Sequence, residues 1–126
     1  MTSRSARLLL AVASFISAMG GAMHALAFRK TALAVDASNL PLFYAGSAKM
    51  LWLADSATLL ILAIIFGLLA ARPLTPNGRL VMWVALIPAA TAALMYVFLG
   101  NFFAEYVLLA IAALSFIGGL RLSNTH

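Results

Sequence analysis

Four runs of about twenty apolar residues, separated by short polar stretches, constrain this chain more than any other feature. A helix of that length crosses the ~30 Å hydrocarbon core of a bilayer. With 65% of its 126 residues hydrophobic and 9% charged, a soluble domain of this size could not hide the apolar surface. The expected fold class is therefore all-α: an integral membrane four-helix bundle forming a single domain.

Residues 1–7 are polar and carry Arg4 and Arg7, and the first span runs from about 8 to 28. The same stretch has the outline of a secretory signal, with Gly20-Gly21 as a breaker and Ala25-Leu26-Ala27 as a cleavage-like site. Ser14, Ser17, Gly21 and His24, however, fall at i, i+3, i+7 and i+10, within one helix face, and we read the segment as a retained transmembrane helix. Residues 29–45 read as a long outer loop, with a turn at Asp36, Ser38, Asn39 and Pro41, and Pro41 is well placed to start the next helix. The second span, about 46–71, ends at Arg72-Pro73. Counted from Pro41 it would be ~46 Å long, so it must tilt or lie partly in the interface. Thr75-Pro76-Asn77-Gly78 is a tight-turn sequence. The third span, about 80–99, has Pro88 at its middle, and Ala85, Ala89 and Ala93 give it a face suited to close helix approach. Gly100-Asn101 makes a short hairpin into the fourth span, about 102–120.

The short connections predict that spans 2–3 and 3–4 are antiparallel neighbours. Four spans place both termini on one side. That side collects Arg4, Arg7, Arg72, Arg79 and Arg121, and the other holds Arg29, Lys30 and Lys49. The imbalance favours both termini in the cytoplasm, N-in and C-in, as expected of a multi-pass protein of a cell inner membrane. The formal charge of +5 then reflects topology signals and snorkelling anchors, and no nucleic-acid partner is expected. The chain has no cysteine, so thiolate chemistry and disulfides are excluded.

This topology gathers the unusual residues in the outer half. Asp55 is a carboxylate well inside an apolar run, where exposure to lipid costs at least ~2.5 kcal/mol even on lenient scales. It should face a partner in the bundle. Lys49 lies about 120° round the helix from Asp55, so His24 or an inter-helix hydroxyl is the better partner. Lys49, Trp52 and Ser56 share a stripe, and Asn101 and Glu105 are spaced i, i+4. We take Asp55, His24 and Glu105 as candidate catalytic residues, and Trp52, Lys49, Asn101 and Ser56 as candidate ligand contacts. Each has a plainer role open to it: Lys49 as a snorkelling anchor, Trp52 as packing, His24 as an inter-helix hydrogen bond, Glu105 as a helix-start carboxylate. No metal site, Walker loop or dinucleotide fingerprint is present in the sequence, and no cofactor is expected.

In helix number and length the chain resembles the small multidrug transporters. Those carry their essential carboxylate in the first helix, and helix 1 here has no acid. It also resembles four-helix membrane sterol isomerases and sigma-2-type receptors in architecture, with no motif from which to carry over residue roles. The function expected first is binding of a membrane lipid or lipophilic small molecule by the outer polar cluster, with acid–base chemistry such as isomerisation or epoxide opening. The alternatives are an accessory subunit of a larger membrane complex, or a small homo-oligomeric proton-coupled transporter.

Overall fold

The computed structural model of the protein describes residues 4–71 and 77–123. Among them the elements are α1 (Arg4–Leu26), α2 (Phe28–Asp36), α3 (Leu42–Ala71), α4 (Gly78–Leu99) and α5 (Phe103–Ser123). Four helices are long and apolar enough to cross a membrane, α1 and α2 counting as one. In lipid this is the expected outcome, since a helix satisfies its backbone N–H and C=O groups within its own segment. The side chains outside the narrow core are large and apolar: Phe15, Met23 and Trp83 each expose more than 60% of their surface.

The expected outer loop is partly helical. α1 reaches α2 through a single residue, Ala27, which keeps right-handed helical angles. Ala27 N–H bonds Met23 O at 3.0 Å, and Thr31 N–H bonds Ala27 O at 3.2 Å. The physical reason is that Arg29 and Lys30 end the apolar run without ending the helix. Hydropathy marks where hydrocarbon stops, whereas a helix continues until a breaker arrives, here at Ser38, Asn39 and Pro41. The stretch Arg4–Asp36 thus spans 33 residues, about 50 Å. At its end Ser38 Oγ donates to Val35 O at 2.6 Å, and Pro41 O accepts the Ala45 amide as α3 begins.

The remaining turns follow local chemistry. Residues 72–76, which include Arg72-Pro73 and the first half of the expected tight turn, lie outside the described residues. Asn77 caps α4, its side-chain oxygen accepting the Arg79 amide at 3.0 Å. Gly100 ends α4 at φ +70, and its amide bonds Tyr96 O, a left-handed position that glycine alone takes without strain. α5 begins two residues after Asn101.

Packing orders the four helices as α3, α1, α5, α4, with α1 against both α3 and α5, and α4 against α5. Along α1 and α3 the contacts run in opposite chain directions. Arg7 Nε donates to Ala70 O, Ser14 Oγ to Ala63 O, Gly21 abuts Leu60, and His24 reaches Ser56. Spans 2 and 3, expected as neighbours, are α3 and α4, and they do not pack substantially among the described residues. A short connection does not compel contact: six residues can reach ~20 Å, about twice the spacing of packed helices. The small residues of α1 decide the order instead. Ala6, Ala13, Ser17 and Gly21 are buried, so α1 can receive a neighbour closely on two sides.

The close-approach face of α4 differs from the expected one. Its buried residues are Gly78, Val81, Ala85, Pro88 and Ala92, in alternating steps of three and four. Ala89 is half-buried and Ala93 is exposed, because a strict four-residue step drifts round a 3.6-residue helix.

Candidate functional site

His24 stands in the last turn of α1, and α3 presents Trp52, Asp55 and Ser56 to it at i, i+3 and i+4, which is one helix face. The imidazole stacks on the Trp52 indole with ring centroids 4.0 Å apart and planes 11° apart. Its Nδ1 lies 2.8 Å from Ser56 Oγ, and its Nε2 lies 3.7 Å from Asp55 Oδ2. Trp52 Nε1–H donates to the backbone carbonyl of His24 at 2.8 Å. That carbonyl is among the last four of α1, which lack regular intrahelical partners. The indole therefore holds the ring of His24 from one side and its backbone from another.

The proton inventory limits what this cluster can do. Ser56 is 3% exposed, and its single hydroxyl proton donates to Trp52 O at 3.1 Å. With that proton on Trp52 O, His24 Nδ1 is the donor to Ser56 Oγ, and in the other tautomer Nδ1 accepts from it. This leaves the Nε2 edge facing Asp55. A separation of 3.7 Å is too long for a hydrogen bond, so the two groups form an ion pair when His24 carries a second proton. Ser56, buried with its proton committed, is not arranged as a nucleophile. The arrangement suits proton exchange between Nε2 and Oδ2 and a third, incoming group. Both side chains remain reachable, at 20% and 27% exposure, and among the described residues no hydrogen bond reaches the Asp55 carboxylate.

His24 lies about 25 Å along α1 from Arg7, which bonds α3 at its far end. The cluster thus sits near one end of the apolar zone, with Arg29 and Lys30 a further turn beyond.

The sequence-predicted residues divide into two groups. His24, Asp55, Trp52 and Ser56 come together, with His24 as the partner of Asp55. Lys49 is engaged elsewhere: its Nζ is 2.5 Å from Asp36 Oδ1, which ties the end of α2 to α3. Asn101 is exposed and precedes the start of α5, so it does not share a helix face with Glu105. Glu105 is 8% exposed, with Oε2 buried and lacking a hydrogen-bond partner among the described residues. No hydrogen bond or ion pair joins it to His24 among the described residues. Among those residues no three His, Cys, Asp or Glu side chains converge as a metal site would require.

Two participants escaped the sequence reading. Asp36 looked like a turn marker, and no periodic relation links it to Lys49 because the two belong to different helices. The His24 backbone carbonyl has no sequence signal at all. No family model matches this chain, and no curated protein or solved structure matches it.

Proposed function

We propose that the protein is a multi-pass inner-membrane protein, N-in and C-in, whose outer polar cluster binds a lipophilic molecule bearing a polar group. His24 and Asp55 act there as an acid–base pair. The observation that carries this reading is the fixed imidazole. It is stacked on Trp52, bonded at Nδ1 to Ser56, and has Nε2 turned toward a partly exposed carboxylate. Uncommitted polar capacity beside hydrocarbon is costly, and a ligand donor reaching the exposed part of Asp55 offsets that cost. Trp52 and Ser56 position the ring, and Asp55 accepts the ligand's proton or hydrogen bond. The orientation follows from the five arginines near the terminal side against three bases on the other.

Native mass spectrometry of protein released from nanodiscs tests the ligand reading. Wild type is expected to carry a discrete lipophilic adduct, lost in Asp55→Asn and in His24→Ala. The same adduct in all three proteins overturns it. The orientation is tested separately. The chain has no cysteine, so a Ser38→Cys variant should react with an impermeant maleimide from outside the cell only.

One observation favours a second reading, that of a subunit in a larger assembly. Among the described residues the four long helices pack in a row, so α3 and α4 each pack substantially against one long neighbour. Copurification of another chain at fixed stoichiometry, or a defined homo-oligomer carrying no adduct, would favour that reading.

A further inference from the structure

The charges of this chain are sorted between its two ends. Arg4 and Arg7 open α1, Arg79 opens α4, Arg121 closes α5, and Arg72 follows α3 directly in the sequence. Packing brings those helix ends to one level. Arg7 bonds Ala70, a Cβ at Gly118 would meet Leu10, and one at Gly78 would meet Gly119 and Ser123. The three acidic residues, Asp36, Asp55 and Glu105, belong to the other end together with Arg29, Lys30 and Lys49. Three bases there balance three acids. The formal net charge of +5 therefore belongs to the five arginines.

At the arginine end, Arg4, Arg7, Leu8, Ala11 and Ala70 line a groove of about 670 Å³ between α1 and α3. Arg7 donates from Nε to Ala70 O at 2.8 Å, a bond that holds its guanidinium over the last carbonyls of α3. One of its five N–H donors is used in this bond. Leu8 and Ala11 extend the groove toward the apolar zone. The result is a cationic rim above an apolar wall.

We propose that this groove holds one anionic phospholipid, its phosphate against the Arg4 and Arg7 guanidiniums and an acyl chain along Leu8 and Ala11. Guanidinium groups match phosphate oxygens in geometry and charge. Basic pockets at membrane-interface level are suited to lipid head groups. An anionic lipid fits better than a zwitterionic one because the arginine end has no Asp or Glu to take up a head-group cation. The apolar wall selects a lipid over free phosphate, which would leave Leu8 and Ala11 uncovered. This site is separate from the His24–Asp55 cluster, so either proposal can fail alone.

The test is native mass spectrometry of the full chain from nanodiscs of equal phosphatidylglycerol and phosphatidylcholine. Wild type is expected to retain phosphatidylglycerol about thirtyfold over phosphatidylcholine, as two nearby arginines would give. Arg4→Gln/Arg7→Gln should bring that ratio near one, while Arg79→Gln keeps it. Ala11→Trp leaves both arginines in place and fills the groove, and it should also abolish the enrichment. Equal retention of the two lipids by wild type overturns the proposal. So does enrichment that survives either the double variant or Ala11→Trp. Displacement of the lipid by glycerol 3-phosphate at matched concentration would overturn the acyl-chain assignment.

Discussion

The pair α1–α3 and the pair α4–α5 solve the same problem, holding two apolar helices together in lipid, by different means. Along α1–α3, side chains reach across to the other helix: Arg7 to Ala70 O, Ser14 to Ala63 O, Trp52 to His24 O, and His24 to Ser56. Along α4–α5, Thr91, Ser115 and Ser123 bond carbonyls of their own helices. Contact there rests on backbones brought together at Gly78 and Gly119. Hydrocarbon provides no hydrophobic drive between helices, so association draws on packing and on polar bonds. The α4–α5 pair relies on packing, and the α1–α3 pair adds inter-helix polar bonds to the close approach at Gly21. Packing is intolerant of added volume, whereas polar bonds in lipid are individually modest, averaging about 0.6 kcal/mol.

Substitutions should separate the two modes. The largest effect is expected at the glycine contact. A Cβ at Gly78 would overlap the Gly119 carbonyl oxygen and stand 2.6 Å from Ser123 N, backbone atoms that cannot rotate away. Gly78→Ala should cost about 3 kcal/mol, the upper range for overpacking, measured by unfolding in mixed micelles. Gly46→Ala, where nothing lies within 4 Å, should instead stabilise by up to ~1 kcal/mol through helix propensity. If both behave alike, the α4–α5 contact is not as tight as described.

Next comes the polar side. His24→Ala removes the ring stack and the Ser56 contact, and about 1–2 kcal/mol is expected from stacking and one inter-helix bond. A double-mutant cycle of His24→Ala with Ser56→Ala should return a coupling of about 0.6 kcal/mol, and under 2. A coupling of zero would mean that the Nδ1–Oγ contact contributes nothing to the pair. Glu105 tests the opposite sign. Its buried Oε2 has no donor among the described residues, so Glu105→Met should stabilise by ~1 kcal/mol or more, since removing an unsatisfied polar group relieves its desolvation cost. Loss of stability on that change would reveal a partner for Glu105. The smallest effect is expected at Ser14→Ala, a few tenths of a kcal/mol, because Ala63 O keeps its own helical bond.

Much of the site was legible from helix phase alone. Placing Trp52 and Ser56 on one stripe with Asp55 at its flank, and rejecting Lys49 as the partner of Asp55, required only the 100° step of a helix. Glu105 was not legible in this way. Its level along α5 puts it near the same end of the molecule as His24, but level says nothing about rotation. The packing of α5 between α1 and α4 buries its carboxyl without directing it to the histidine. Lys49 illustrates a related limit. A turn that looked like loop extends α2 to Asp36, and the acid it delivers lies thirteen residues away in sequence.

The sequence by itself determined the four long apolar helices, though not α2, because a backbone in lipid has to close its hydrogen bonds within each apolar run. It also determined the sorting of five of the six arginines to one end, since charge follows the run boundaries. Which helices touch was decided by the tertiary structure. Neighbours in lipid are chosen by the fit of small residues such as Gly21, Gly78 and Gly119 against particular partners. That fit depends on the rotation of each helix in three dimensions, and neither loop length nor hydropathy encodes it.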